Sequence, residues 1–589
     1  MKHIPTPKQT TKDEILQDLN TFKNKLGWSN FLWIKDKQKP TPMLQKPIVP
    51  KTSSKPFHFS EPFDKPLHLI NLLEATIESW DDIYPSYSSS DPINKLNSFL
   101  INNPQIKIVA TDKNLGMAAF DIQDYNDMVL THLTSDKYQL VNMDSTLAPI
   151  FNAAFSRSRS NLGNLIRSLD ENQVISNSTL KTLTTFLKHG KVTLPCFHIL
   201  PKLHKVVSGN PTIPSRPIIG ATNWFTTPVS KLLSEMLRPI IKFQNHIATN
   251  TFDVTSDLTF FNNFNKKILE DAEHPVFIIT MDISSLYTNI RLNTLKNLIR
   301  EKNPEFEGIL TYINDHNYFQ YDGKTFKQKD GIAMGTNSAP EIANYYLLHL
   351  LDPAIKSNPF VKLYKRFLDD LLLLWNGTEA EFTAFASHIN RLIPGITFTY
   401  HISRDSGEFL DLDIALICIE DSKPTLRYCT HQKALNKYAY ISPKSCHPVH
   451  TLKGFIYGEL QRYATNSSNF FHYLNTKELF MKRLLARGYS RLFLAPIFKK
   501  HTYVYRSLAH KQEAQLNMSL RYSYRPGLLS LSRRIKHSAN LFVPKYIPGT
   551  RFIISWKKSP NLFNKICKSK LTSKQSSLLT SKNATAFLG

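Results

Sequence analysis

Arg366-Phe367-Leu368-Asp369-Asp370-Leu371-Leu372-Leu373-Leu374-Trp375 sets two adjacent acids inside an otherwise apolar run. Carboxylates in such surroundings forfeit several kcal/mol of hydration unless something neutralises them. A tight turn between two short buried strands, with divalent cations at its tip, meets both demands, because Mg²⁺ takes carboxylate oxygens. The plainer reading of the run by itself is an exposed turn between strands.

Upstream, Val276-Phe277-Ile278-Ile279-Thr280-Met281 has the pattern of a buried strand and delivers Asp282 at its end, ahead of Ile283-Ser284-Ser285-Leu286-Tyr287-Thr288-Asn289-Ile290. A second acid-tipped strand is what a two-metal site requires, since cations roughly 4 Å apart share carboxylates arriving from separate elements. Between the two strands lies Gln328-Lys329-Asp330-Gly331-Ile332-Ala333-Met334-Gly335-Thr336-Asn337-Ser338-Ala339-Pro340, followed by a helical pattern over Glu341 to Leu351. Its glycines admit close backbone approach to a substrate, and Pro340 suits a helix start.

In this order the motifs resemble the palm of reverse transcriptases, with the Asp282 strand as motif A, the Gly331 to Pro340 loop and its helix as motif B, and Asp369-Asp370 as motif C. The 87 residues between Asp282 and Asp369 leave room for a helix, a loop and a second helix. Five further strings narrow the resemblance to Penelope-like retroelement reverse transcriptases, over about residues 100 to 490. They are Thr111-Asp112-Lys113-Asn114-Leu115-Gly116, Leu200-Pro201-Lys202-Leu203-His204-Lys205, Ser215-Arg216-Pro217-Ile218-Ile219-Gly220, Ser285 to Ile290, and Phe409-Leu410-Asp411-Leu412-Asp413-Ile414.

That resemblance implies an α+β right-hand polymerase with fingers, palm and thumb, an antiparallel palm sheet and a helical, basic C-terminal region. The expected layout is a Pro-rich basic extension over 1–95, fingers over 96–225, palm over 226–420, a thumb-like helical region over 421–520, and a partly disordered basic tail over 521–589. The implied reaction is RNA-directed DNA synthesis, in which a primer 3′-hydroxyl attacks the α-phosphorus of a dNTP with two Mg²⁺ or Mn²⁺ ions assisting. Asp282 and Asp369 match the bridging carboxylates, Asp370 is the third catalytic acid, acting on the metals or by tuning the site, and the Ile283 carbonyl completes one metal's shell. Arg216 is matched to the triphosphate, with Lys202 or Lys205 as its partner cation. Tyr287 is matched to the ring that would collide with a 2′-hydroxyl and so select dNTPs, and Gln328 faces the incoming nucleotide. Gly331, Met334 and Gly335 face the template and nascent pair, Phe409 and Leu410 lie in the strand gripping the primer end, and Arg462 and Arg487 lie on the thumb-like path of the duplex.

Charge distribution points the same way without the resemblance. From residue 421 onward lie 30 of the 73 Lys and Arg but 4 of the 47 Asp and Glu, so the entire formal charge of +26 resides in the last 169 residues. A polyanion rewards such asymmetry, because each phosphate contact releases counterions; a merely solvated basic face is the alternative. Aromatics interleaved with the basic residues, as in Met481 to Tyr489 and Tyr503-Val504-Tyr505-Arg506, suit backbone tracking with stacking, or ordinary helix packing with snorkelling cations.

Hydrophobic residues make up 41% of the 589, an ordinary soluble content, and no run of eighteen apolar residues or signal peptide is seen, so neither membrane spanning nor export is expected. The five cysteines, Cys196, Cys418, Cys429, Cys446 and Cys567, are scattered, which suits a reducing compartment. Cys429, His431, Cys446, His447 and His450 have zinc-ligand chemistry, but their spacing matches no finger. Residues 1 to about 65 read as an extended arm, with a short helix over Ile15 to Trp33, and a further helix begins over Pro66 to Trp80. Ile106 to Asp121 predicts a hairpin, 122–190 helices, Glu379 to Leu392 a helix, Ile396 to Ile402 a strand, and Phe409 to Ile419 another. Alternation along that last segment puts Phe409, Asp411 and Asp413 on one face, which a surface role satisfies.

The chain departs from the family's commoner form after Arg551, where the tail is Ser- and Lys-rich and no acid follows Glu513. A metal-dependent nuclease without a carboxylate is not credible, so target cleavage is expected to use existing DNA ends or a nuclease in trans, unless the element copy is truncated. Expected partners are an RNA template, a DNA primer and dNTPs, with no membrane, and a nuclear location follows from the DNA product. The alternatives are a catalytically inactive nucleic-acid-binding protein on the same fold and an RNA polymerase. Asp282, Asp369, Asp370, Arg216 and Tyr287 weigh against the first, and Tyr287 against the second.

Overall fold

The computed structural model describes residues 13–23, 67–79, 92–113, 115–141, 147–206, 213–271, 273–417, 423–433, 436–503, 516–524, 528–546, 550–557, 561, 565–568 and 570–579. They belong to two compact units, one built from 97–438, 460–481 and 566–589, the other from 1–96, 439–459 and 482–565. Most of the Pro-rich arm, Cys418, Val504 to Arg506 and residues 580–589 lie outside the described residues.

Among the described residues the larger unit carries fourteen strands, in chain order β1 (Ile106–Ala110), β2 (Met117–Asp121), β3 (Tyr138–Leu140), β4 (Phe197–Pro201), β5 (Ser215–Ile219), β6 (Phe277–Ile283), β7 (Tyr318–Tyr321), β8 (Lys324–Gln328), β9 (Val361–Phe367), β10 (Asp370–Trp375), β11 (Phe398–Ser403), β12 (Ser406–Phe409), β13 (Leu412–Ile417) and β14 (Thr425–Thr430). The central sheet is four-stranded and antiparallel, in the order β11-β6-β10-β9. Antiparallel sheets β3-β8-β7 and β12-β13-β14 and hairpins β1-β2 and β4-β5 complete the set.

The unbroken apolar run of β10 reflects burial on both faces. Leu371, Leu373 and Trp375 pack into one core with Ile279, Met281 and Ile283 of β6, the Ala339–Leu350 helix and the Glu379–Leu392 helix. Leu372 and Leu374 pack into a second core with Ile278, Val254, Leu258, Leu412, Ile414 and Tyr428. Each such side chain contributes about 1.5–3 kcal/mol, and a strand covered on both sides has no polar face to show in its sequence.

The segment expected as one strand from Phe409 is instead a hairpin. Leu410 has φ 58° and, with Asp411, forms the turn between β12 and β13, so Phe409 and Leu412 are cross-strand neighbours, both buried. The two-residue turn breaks the period-2 alternation, which is why the sequence placed Phe409 and Asp411 on one face.

In the smaller unit, β15 (Leu516–Ser523) and β16 (Thr550–Lys557) run parallel, connected through a helix over Leu528–Tyr546. Its core joins Leu528, Leu531, Ile535, Ala539 and Val543 of that helix to Ile15, Leu19 and Phe22 and to Leu69, Leu73 and Ile77. Spacings of three and four residues make each helix apolar on one stripe. Those pieces of the expected extension and tail therefore fold onto one another. Residues 573–579 belong to the larger unit, where Leu579 is buried and the Gln575 side chain donates to the Ile106 carbonyl. Among the described residues, no helix is long and apolar enough to cross a membrane.

Candidate active site

Two strand ends meet at the centre of the larger unit. Asp282, next to last in β6, is the cross-strand neighbour of Asp370, the first residue of β10, and the Ile283 N–H donates to the Asp369 carbonyl at 3.0 Å. Asp370 also pairs with Phe367 of β9, which leaves Leu368-Asp369 as a two-residue hairpin turn with Leu368 left-handed at φ 56°. Such short hairpin turns demand positive φ, usually supplied by Gly or Asn.

The three carboxylates disturb one another. Burial, then the charges of Asp369 and Asp282, push Asp370 up to about 6. Burial also raises Asp369, with Asp282 adding and Arg216 and Lys202 opposing. Among the described residues, none of the three forms an ion pair with a Lys, Arg or His side chain. Mutually repelling carboxylates with no ion-pair partner among the described residues are a donor set suited to a divalent cation.

Cations stand one step further away. The β4-β5 hairpin carries Arg216, whose Nη2 donates to Asp112 Oδ2 at 3.3 Å. Asp112 is buried, and its N–H donates to the Pro201 carbonyl at 2.9 Å. Half-buried Lys202 follows β4, its pKa lowered by burial and by Arg216 and Lys205 against the pull of Asp112 and Asp282. Lys205 is exposed at the end of a single turn over Leu203–Lys205. Lys433 and Lys113 act on Asp370.

Tyr287 sits in the short Leu286–Asn289 helix, entered through left-handed Ser285 at φ 54°. Burial and the Asp369 charge push its hydroxyl up to about 12. Its carbonyl accepts the Ile332 N–H at 2.7 Å, and the Met334 carbonyl accepts the Ile219 N–H at 2.9 Å. The Gly331 to Ser338 loop is thus stitched between the Tyr287 segment and β5. A Cβ at Gly331 would come within 2.9 Å of the Thr288 carbonyl oxygen, and one at Gly335 within 2.2 Å of that of Ile219. With φ of 76° and 124°, both glycines are required by the protein's own backbone.

Other expected site residues have hydrogen-bond partners within the protein. Gln328 is buried in β8; its Oε1 accepts from Asn317 Nδ2 at 3.4 Å and its Nε2 donates to the Asp330 carbonyl at 3.0 Å, so its amide is turned inward. Arg462 Nη1 donates to Asp411 Oδ2 at 2.6 Å, and the same carboxylate accepts from Asn466 Nδ2 at 3.1 Å and Thr251 Oγ1 at 2.5 Å. Asp411 is therefore a structural anchor, not a solvated surface acid. Arg487, in the other unit, donates from Nε to the Tyr440 carbonyl at 2.9 Å. His431 is held between Asp413 (2.6 Å) and Glu408 (3.4 Å), a group whose potential ligand atoms lie within 4.8 Å of one another and whose ion pairs already account for it.

Asp112, Lys113 and Lys433 carried no role in the sequence reading. The string Thr111 to Gly116 was the signal for the first two, while nothing local marks Lys433.

Residues 209–393 match the profile of the family described as Reverse transcriptase (RNA-dependent DNA polymerase). That stretch contains Arg216, Asp282, Tyr287, Asp369 and Asp370, and the chain carries a nucleic-acid polymerase domain. Within that class it is an RNA-directed DNA polymerase. No curated protein matches the chain. Among solved structures, telomerase from Candida albicans in complex with a fragment of telomeric RNA aligns over 81% of this chain and 73% of its own, at 12% identity and TM-score 0.43. Apo telomerase from Candida tropicalis aligns over 73% and 77%, at 12% identity and TM-score 0.39. The BmCPV RNA-dependent RNA polymerase aligns over 49% and 26%, at 11% identity and TM-score 0.27.

Proposed function

We propose that the protein is the reverse transcriptase of a Penelope-like retroelement, extending a DNA primer on an RNA template from dNTPs. The observation that carries the reading is the meeting of Asp282, Asp369 and Asp370 at two paired strand ends, with Asp369 and Asp370 raised by burial and mutual repulsion. On this reading 226–420 is the palm, 96–225 the fingers and the basic region from 421 the thumb and its continuation, acting in the nucleus.

Asp282, Asp369 and the Ile283 carbonyl would hold Mg²⁺ or Mn²⁺, with Asp370 tuning the site. Bound there, the ions supply acidity to the attacking hydroxyl and charge compensation to departing pyrophosphate. Arg216, oriented by Asp112, would clamp the triphosphate oxygens with its guanidinium fork, and Lys202, whose charge acts on both Asp282 and Asp369, would be its point-charge partner. The Tyr287 ring would underlie the incoming sugar and exclude a 2′-hydroxyl. Residues Met334 and Gly335, on the loop bound to Tyr287 and β5, would border the template, and the Phe409-Leu410 hairpin the primer end.

Primer extension by the full chain on an RNA template, with dNTPs against rNTPs and Mg²⁺ or Mn²⁺ present, tests the reading. dNTP extension that vanishes in Asp369→Ala is expected, and Tyr287→Ala should admit rNTPs. Absence of extension with RNA binding intact would replace the proposal with a binding protein on a polymerase fold.

A further inference from the structure

Directly behind the acid pair lies a buried polar cluster that takes no part in the chemistry proposed above. Arg366 and Asp352 are 0% and 1% exposed. Asp352 Oδ1 accepts from Tyr364 Oη at 2.8 Å and Arg366 Nε at 2.9 Å; Oδ2 accepts from Arg366 Nη2 at 2.8 Å and His246 Nε2 at 2.7 Å. Burial works to raise the Asp352 pKa, but the His246 hydrogen bond and the Arg366 charge overcome it and hold the group below the usual carboxylate range. Asp352 thus stays ionised and fixes one edge of the guanidinium through Nε and Nη2.

The remaining nitrogen faces the turn. Arg366 Nη1 donates to Asn344 Oδ1 at 2.7 Å and to the carbonyl of Leu368 at 3.3 Å. Leu368 is the left-handed residue that precedes Asp369, a conformation that a non-glycine side chain disfavours. Asn344 belongs to the Ala339–Leu350 helix, which follows directly on the Gly331 to Ser338 loop. A buried ion pair is often no more stabilising than apolar packing of the same volume, so burial alone gives no reason for a cluster that ends on one carbonyl of a strained turn.

We infer that Arg366, locked by Asp352 and Asn344, is a positioning residue that holds the Leu368 carbonyl, and thereby the Asp369 carboxylate, in the orientation that receives the metal. This rests on the proposed polymerase reading. It makes the Ala339–Leu350 helix a mechanical partner of the acid turn: displacement of Asn344 would be felt at Asp369.

The test reads Mn²⁺ binding to the full chain by electron paramagnetic resonance, alongside steady-state extension. Loss of the bound signal in Asp369→Ala, compared with the unmodified chain, locates the ion at the acids and reports on the polymerase reading separately. Arg366→Lys keeps a charge opposite Asp352 but cannot span to the Leu368 carbonyl as well. Its Mn²⁺ affinity should fall about tenfold, with kcat reduced to a similar degree and the dNTP KM held within about twofold. Asn344→Ala leaves the Arg366–Asp352 pair whole and serves where Arg366→Lys fails to fold; a loss of about threefold in Mn²⁺ affinity is expected. Unchanged Mn²⁺ affinity in either variant with native circular dichroism would overturn the inference. Absence of an Asp369-dependent signal in the unmodified chain would overturn the inference and the two-metal reading together.

Discussion

Two hairpin tips in the larger unit share a local design and differ in everything around it. Phe367-Leu368-Asp369-Asp370 and Phe409-Leu410-Asp411-Leu412 each place a left-handed leucine, φ 56° and 58°, directly before an acid at the turn between antiparallel strands. At the second tip the Asp411 carboxylate accepts from Arg462, Asn466 and Thr251. At the first, Asp369 faces Asp282 and Asp370, and no described basic side chain pairs with it. An acid supplied with protein donors is structural. An acid kept among acids is, on the proposed function, left for a cation from outside.

The comparison breaks most sharply on charge removal. Asp369→Ala should lower primer extension by about a thousandfold, several kcal/mol of transition-state stabilisation, while thermal unfolding shows stability unchanged or raised, because a half-buried acid repelled by its neighbours is gone. Asp411→Ala should do the reverse, removing a carboxylate that Arg462, Asn466 and Thr251 share and lowering stability by about 1–3 kcal/mol in urea unfolding. Loss of extension in Asp411→Ala equal to that of Asp369→Ala, at full stability, would erase the distinction.

A pH series sharpens it. The folded-state pKa of Asp370, about 6, lies above its ordinary value of 3.8, so between those values the folded chain binds more protons than the unfolded one. Without divalent metal, stability should therefore rise as pH is lowered from 7 toward 4 through this group, and Asp370→Asn should flatten that rise. Cation-induced stabilisation should move oppositely and fade below about pH 6, as the carboxyl protonates. Differential scanning calorimetry at several pH values, with and without Mg²⁺, measures both.

The smallest expected effect separates the two leucines. Glycine relieves the left-handed conformation at either tip by about 1 kcal/mol. Leu410 packs against the second core, whereas Leu368, half-buried, is in neither of the two cores that cover β10 among the described residues. Leu368→Gly should be neutral or slightly stabilising, and Leu410→Gly destabilising by about 1 kcal/mol once its lost packing is included. Equal shifts in urea midpoint for the two would contradict this account.

Much of the fold was legible because its signals are local. The apolar runs ending in Asp282 and following Asp370, the hairpin from Ile106, the helix over Glu379–Leu392 and the helical character of 122–190 follow from periodicity, caps and turn residues within a few positions. What escaped was interruption: the two-residue turn at Leu410-Asp411 carries no Gly, Asn or Pro, and its leucine reads as strand. Strand β3 also went unseen, since three residues leave no period to detect.

The site divides along the same line. The sequence by itself determined which acids terminate strands and in what order, because the strand period and the apolar run leave a carboxylate nowhere to sit but the tip. Only the tertiary structure decided which acids are neutralised from within. Partners of Asp411 come from positions 251, 462 and 466, the anchor of Arg216 from position 112, and the clasp on the Asp369 turn from positions 344 and 352. It also turned Gln328 inward and set the two loop glycines against Thr288 and Ile219. Charge compensation is a property of distance in space, and residues scores of positions apart leave no mark of it in the local pattern.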